Sequence, residues 1–123
     1  MAGEAILIVD DNAQNLKLAR IVLEGAGFRV STAVDAEDAL SQLKTYRPAL
    51  ILMDIQLPGM DGLTLTRQLK EQPGYSEIVI IAVTAYAMKG DEDRAFEAGC
   101  DGYITKPIDV ARLAHQVRGF LDR

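Results

Sequence analysis

Short apolar runs alternate along the whole chain with longer amphipathic stretches, and this alternation leaves few folds open. The runs are Ala5–Val9, Phe28–Thr32, Ala49–Met53, Ile78–Val83 and Gly102–Ile104. Ala5–Val9, Ala49–Met53 and Ile78–Val83 are nearly continuous in aliphatic and β-branched residues, as strands covered on both faces must be. Phe28–Thr32 mixes Arg29, Ser31 and Thr32 with its apolar residues and reads as an edge strand.

The stretches between the runs carry helical spacing. Leu16, Ala19, Leu23 and Ala26 share one face of a helix that begins at Asn12 or Ala13 and stops at Gly27. Ala36, Ala39, Leu40 and Leu43 mark a second, from Asp35 to the neighbourhood of Tyr46. Asp61 is positioned to cap a third through Leu65 and Leu69, ending before Pro73-Gly74. Asp91 is expected to cap a fourth that ends near Gly99. Asp109 is expected to cap a fifth with Val110, Leu113, Ala114, Val117, Phe120 and Leu121 on one stripe. Strand–helix units in such a series predict an α/β, three-layer, doubly wound fold of the flavodoxin-like kind. Its five-stranded parallel sheet has the order 2-1-3-4-5 and right-handed crossovers.

The chain has 123 residues, the size of one domain, so residues 1–123 are read as a single unit. Hydrophobic residues make up 49% and charged residues 25%, an ordinary globular composition. The formal net charge of −5 speaks against nucleic acid as a partner, since phosphate backbones call for clustered cations. Lys17, Arg20, Lys44, Arg47, Lys70, Lys89, Arg112 and Arg118 are instead scattered. Cys100 is the only cysteine and has no intrachain disulfide partner, which fits a reducing compartment. The N-terminus lacks the pattern of a signal peptide, and no apolar run approaches the roughly 20 residues that span a bilayer. The expectation is a soluble cytoplasmic protein that does not bind membranes.

In an open parallel sheet, ligands bind outside the carboxyl ends of the strands, where strand order reverses. In the order 2-1-3-4-5 that point lies between strands 1 and 3, which are followed by Asp10-Asp11 and by Asp54. Strand 4 is followed by Thr84-Ala85 and strand 5 by Thr105-Lys106-Pro107. Three carboxylates, a hydroxyl and an ammonium therefore meet at one rim. Carboxylates so placed cannot all stay ionised without a cation. Their all-oxygen donor set favours Mg²⁺ over zinc or copper. Mg²⁺ takes few carboxylates, which leaves one free to act as a nucleophile on phosphorus. Lys106 and the ion would neutralise a transferring phosphoryl group, and the Thr84 hydroxyl would hydrogen-bond one of its oxygens. Each feature alone has a plain alternative, since an Asp pair after a strand commonly caps a helix and Lys-Pro commonly makes a turn. Their joint arrival at the ends of different strands does not.

These residues resemble the response-regulator receiver (CheY-like) family over essentially the whole chain. Ile8-Val-Asp-Asp-Asn12 resembles its acidic motif, and Leu52-Met-Asp-Ile-Gln-Leu-Pro-Gly-Met-Asp-Gly62 its phosphorylation-site motif. Val83-Thr-Ala85 and Tyr103-Ile-Thr-Lys-Pro107 supply the other two. The resemblance implies Asp54 as phosphoacceptor, with Mg²⁺ held by Asp10, Asp11, Asp54 and the backbone carbonyl of Gln56. It also implies Lys106 as the phosphate-sensing lysine before a cis Pro107, and Thr84 with Tyr103 as a switch pair. The wording Asp11–Asn15, Asp54–Pro58 and Ala85–Asp91 is similar both to single-domain cell-division regulators and to receivers attached to hybrid histidine kinases. The end at Arg123 fits a stand-alone regulator and equally an excised receiver. The implied partners are a histidine kinase or phosphotransfer protein and a downstream effector protein. The implied state is a monomer, with a phosphorylation-dependent dimer left open.

Among the remaining residues, His115 falls off the apolar stripe of the last helix and is expected at the surface. Cys100 is expected as partly buried filler. Tyr86 and the Gln56 side chain stand where they would shield a phosphorylated site from water, an exposed loop aromatic being the equal alternative for Tyr86. A Mg²⁺-dependent aspartyl-phosphate phosphatase would place an acid–base Asp where this chain has Gln56. A flavodoxin-like cofactor carrier would need a phosphate-cradling loop where Asp10-Asp11 stand. The expected activity is that of a switch that assists its own phosphorylation and dephosphorylation, not of an enzyme.

Overall fold

The computed structural model describes residues 3–85 and 90–122. Five strands, β1 (Ala5–Val9), β2 (Arg29–Ala33), β3 (Leu50–Asp54), β4 (Val79–Thr84) and β5 (Gly102–Thr105), alternate with five helices. These are α1 (Ala13–Gly25), α2 (Ala36–Leu43), α3 (Gly62–Lys70), α4 (Asp91–Ala98) and α5 (Leu113–Leu121). All strand pairs are parallel, in the order β2-β1-β3-β4-β5. The architecture and strand order are those expected from the sequence.

Side chains alternate across the pleat, which explains the unbroken apolar runs. Ile6, Ile8, Leu50, Leu52, Ile81 and Val83 face one side, where Leu16, Ala19 and Leu23 of α1 and Leu113 and Val117 of α5 cover them. Leu7, Val9, Ile51, Met53, Ile80 and Ala82 face the other, under Ala36, Ala39 and Leu43 of α2, Leu65 and Leu69 of α3, and Ala95 and Ala98 of α4. The edge position of β2 leaves Arg29 exposed and only Val30 and Ala33 fully covered.

Local caps follow the sequence at three helices. Asn12, Asp35 and Asp61 accept the backbone N–H of Asn15, Asp38 and Thr64 at 3.0, 2.8 and 2.8 Å. α1 ends where Gly27 takes a φ of 99°, a conformation that L side chains rarely adopt. Two caps differ from expectation. Gly90 precedes α4, and Asp91 is its first helical residue, with its carboxylate 3.2 Å from Arg94. Asp109 accepts the N–H of Ala111 at 3.0 Å and so closes a turn ahead of α5, which starts only at Leu113. Val110 consequently lies outside the helix and is exposed. Ala26, the C-cap of α1, is exposed as well, and α2 ends at Leu43, short of Tyr46.

Candidate functional site

The sheet order places the ends of β1 and β3 side by side, with β4 and β5 beyond. Asp10 follows β1, and its N–H still donates to Ala33 of β2 at 3.0 Å, so backbone pairing fixes where its side chain starts. One carboxylate oxygen accepts the N–H of Asn12 at 2.9 Å. Asp54 is the last residue of β3, in register with Val83. Thr84 and Thr105 end β4 and β5 and are paired with each other. The ladder runs one residue further than the apolar runs suggest, so Asp54, Thr84 and Thr105 lie within strands rather than after them. Beyond the ladder, Ile55 donates to Val83 at 3.0 Å and Lys106 to Thr84 at 2.7 Å. The reactive positions are thus held by backbone pairing on both sides.

Lys106 joins the two buried carboxylates. Its Nζ stands 3.0 Å from Asp10 Oδ2 and 3.2 Å from Asp54 Oδ2. The other Asp54 oxygen accepts the Gln56 N–H at 3.0 Å. Asp10 and Asp54 are buried at 4% and 5% exposure, Thr84 at 1%, whereas Asp11 is exposed. Oxygens of Asp10, Asp11 and Asp54 all lie within 4.8 Å of one another. Burial pushes the Asp54 carboxyl above its ordinary range, and Asp10 pushes the same way against the Gln56 hydrogen bond and the Lys106 charge. Burial works to lower the Lys106 ammonium, but its hydrogen bonds and attraction to the two carboxylates outweigh this and raise it. Among the described residues, three carboxylates face one ammonium, a cluster short of positive charge.

Tyr103 of β5 is half-buried and pairs with Ala82. It shares with Thr84 the face of the sheet that carries α3 and α4, and it packs on that core. Burial, with the carboxylates of Asp91 and Glu92, raises its hydroxyl. The Lys106–Pro107 peptide is cis. A cavity of about 320 Å³ beside the site is lined by Ile55, Gln56, Asp61, Leu63, Thr84 and Arg94, among others. A more apolar cleft of about 380 Å³ on the opposite side is bounded by Asn15, Leu18, Ala85, Lys106, Pro107 and Ile108. His115 is exposed and Cys100 is buried, its thiol pushed up to about 11 by burial. Tyr86 lies outside the described residues.

One residue of the site was not singled out in the sequence. A Cβ on Gly62 would collide with the Asp54 carbonyl oxygen and stand 2.9 Å from its carbon. The signal available was a glycine, a weak helix former, directly after a capping aspartate.

A three-layer sheet with this acidic rim defines a class, and comparison with known proteins agrees. The response regulator receiver domain model matches residues 6–118, and the chain belongs to that family, the receiver modules of two-component systems. It is 43% identical over 118 residues to the polar-differentiation response regulator DivK of Brucella anthropi, with 96% of each chain covered. A putative response regulator from Chloroflexus aurantiacus J-10-fl superposes with a TM-score of 0.93 at 33% identity, covering 98% of this chain and 99% of its own. The BeF₃-activated DrrB receiver domain gives 0.88 at 32%, covering 100% of both chains. Receivers of this family are signalling modules, not conventional enzymes. No helix among the described residues is long and apolar enough to cross a membrane.

Proposed function

We infer that this protein is a phosphorylation-operated switch whose phosphoacceptor is Asp54. The observation that carries this reading is the shortage of positive charge at the rim among the described residues, where Asp10 and Asp54 are buried around the Lys106 ammonium with Asp11 beside them. The donor set fits Mg²⁺, because every available atom is a hard oxygen. Asp10, Asp11, Asp54 and the backbone carbonyl of Gln56 would hold it. The ion supplies charge neutralisation for the oxygens of a phosphoryl group.

The donor is a phosphohistidine on a histidine kinase or phosphotransfer protein. An Asp54 oxygen forms a bond to phosphorus as the phosphorus–nitrogen bond breaks, and the imidazole leaves with the electron pair. Lys106, already within reach of Asp54, turns its charge to the new phosphoryl group, and the Thr84 hydroxyl hydrogen-bonds one of its oxygens. Tyr103, on the same face as Thr84, follows into the space vacated and alters the surface of α4, β5 and α5. This is a two-state equilibrium biased by a local charge. A downstream effector protein reads the result by direct contact. Leu18 of α1, exposed at 45%, lines the apolar cleft and, with the exposed Ile21 one turn further along the helix, offers the donor a place to dock.

The test is incubation with a small phosphodonor and Mg²⁺, comparing wild type with Asp54→Asn. The wild type should acquire a single labile phosphoryl group and the variant none. Labelling of the variant to the same level would make the assignment wrong.

A further inference from the structure

The geometry points to Gly62 as the residue that positions Asp54, acting through the peptide that follows it. This rests on the proposed phosphoacceptor role of Asp54. Gly62 begins α3, and its N–H donates to the Ile55 carbonyl at 2.9 Å, closing the loop between β3 and α3 into a ring. Its missing side chain brings the first turn of α3 onto the end of β3. An added Cβ would overlap the Asp54 carbonyl oxygen and approach its carbon to 2.9 Å and Ile55 Cα to 3.0 Å. These are backbone atoms in and just after a buried central strand, so no side-chain rotation relieves the overlap.

What this contact fixes is the turn from Asp54 to Gln56. The Gln56 N–H holds Asp54 Oδ1 at 3.0 Å, leaving Oδ2 toward Lys106. Shifting the Asp54–Ile55 peptide therefore moves both the carboxylate and the backbone group that orients it. The first turn of α3 is braced from behind as well. Thr66, fully buried, donates its hydroxyl to the Gly62 carbonyl at 2.8 Å. Asp61 caps the same turn through the Thr64 N–H at 2.8 Å. Gly62 is a positioning residue here, since its contact is with the Asp54–Ile55 backbone and it acts through Asp54.

The test compares phosphoryl uptake from a small phosphodonor with Mg²⁺ in wild type, Gly62→Ala and Gly119→Ala, a helical glycine with nothing within 4 Å of its added Cβ. Circular dichroism follows folding, and the Gln56 amide resonance reports the Asp54 contact. Gly62→Ala should fold, shift the Gln56 resonance and slow uptake between about tenfold and a hundredfold, as expected for a displaced reacting group. Gly119→Ala should match wild type. Uptake at the wild-type rate with the Gln56 resonance unmoved overturns the proposal. Should Gly62→Ala fail to fold, Thr66→Val and Thr66→Ser decide. Loss of the hydroxyl in Thr66→Val should slow uptake about threefold, in line with one hydrogen bond. Thr66→Ser, which keeps the hydroxyl, should retain the wild-type rate despite lower stability. Equal rates for Thr66→Val and wild type would overturn the proposal in that case. If wild type takes up no phosphoryl group, the functional reading fails, and the Gln56 resonance still decides the positioning role.

Discussion

At the amino ends of the strands, Arg118 of α5 clasps the Glu4 carboxylate at 2.5 and 2.9 Å and stacks over Phe28 at 4.9 Å. At the same end of the sheet, Lys70 of α3 reaches Asp101 at 2.9 Å and the Ile78 carbonyl at 2.8 Å. At the carboxyl ends, among the described residues, a single ammonium faces two buried carboxylates, with a third close by. At the first end Glu4 and Asp101 each have a cation in contact as soon as the chain has folded, and Arg118 holds Glu4 down at about 2. The second end stays short of a cation, and burial pushes Asp54 up. The same sheet therefore carries a rim that fastens the fold and a rim that gains by binding.

The largest effect should come from removing the shared ammonium. Lys106→Met leaves Asp10 and Asp54 buried against each other, and metal-free stability should fall by on the order of 3 kcal/mol in urea denaturation. Added Mg²⁺ should recover part of that loss. A variant as stable as wild type would mean that the carboxyl end is not under electrostatic load.

Asp54→Asn should act with the opposite sign. The folded carboxyl titrates above its ordinary value of 3.8, so the charged form disfavours the fold increasingly as pH rises from there through the folded value. Without metal at neutral pH the variant should melt about 3–5 °C higher than wild type. The gain should vanish well below pH 3.8. A lower melting temperature at neutral pH would reverse the contrast between the two rims.

Glu4→Gln at the amino end should have the smallest effect. Glu4 is depressed from 4.5 to about 2, so its contribution is complete above pH 4.5 and is lost as pH falls toward 2. The pair is partly exposed and weakened by salt. The variant should be slightly less stable than wild type at neutral pH, the gap closing on acidification in a pH series of urea melts. A gap that persists at pH 2 would show that packing of the Arg118 stem, not charge, fastens this rim.

Much of this contrast was legible in the sequence. β1 has the predicted bounds, the strand order is the predicted one, and Asp10, Asp11, Asp54, Thr84 and Lys106 meet at one rim as topology requires. What escaped was set by contacts distant along the chain. Strands end where a neighbour stops pairing, so Asp54 belongs to β3 through Val83 and Thr84 to β4 through Thr105. Asp91 and Asp109 carry the chemistry of caps, but Gly90 and a turn ahead of α5 occupy those places. Gly62 matters through a backbone contact with Asp54, of which its weak helix propensity after a capping aspartate was the one local sign.

The shortage of positive charge at the carboxyl rim is tested most directly by melting temperature against Mg²⁺ concentration. Wild type, Asp11→Asn and Glu4→Gln should be melted side by side. Asp11 is exposed, so its substitution spares the fold while removing one of the clustered carboxylates. Wild type and Glu4→Gln should rise together through the millimolar range, as binding to the folded state alone demands, and Asp11→Asn should stay nearly flat. A flat wild-type curve, or an Asp11→Asn curve that climbs with it, would contradict a rim built to take a cation.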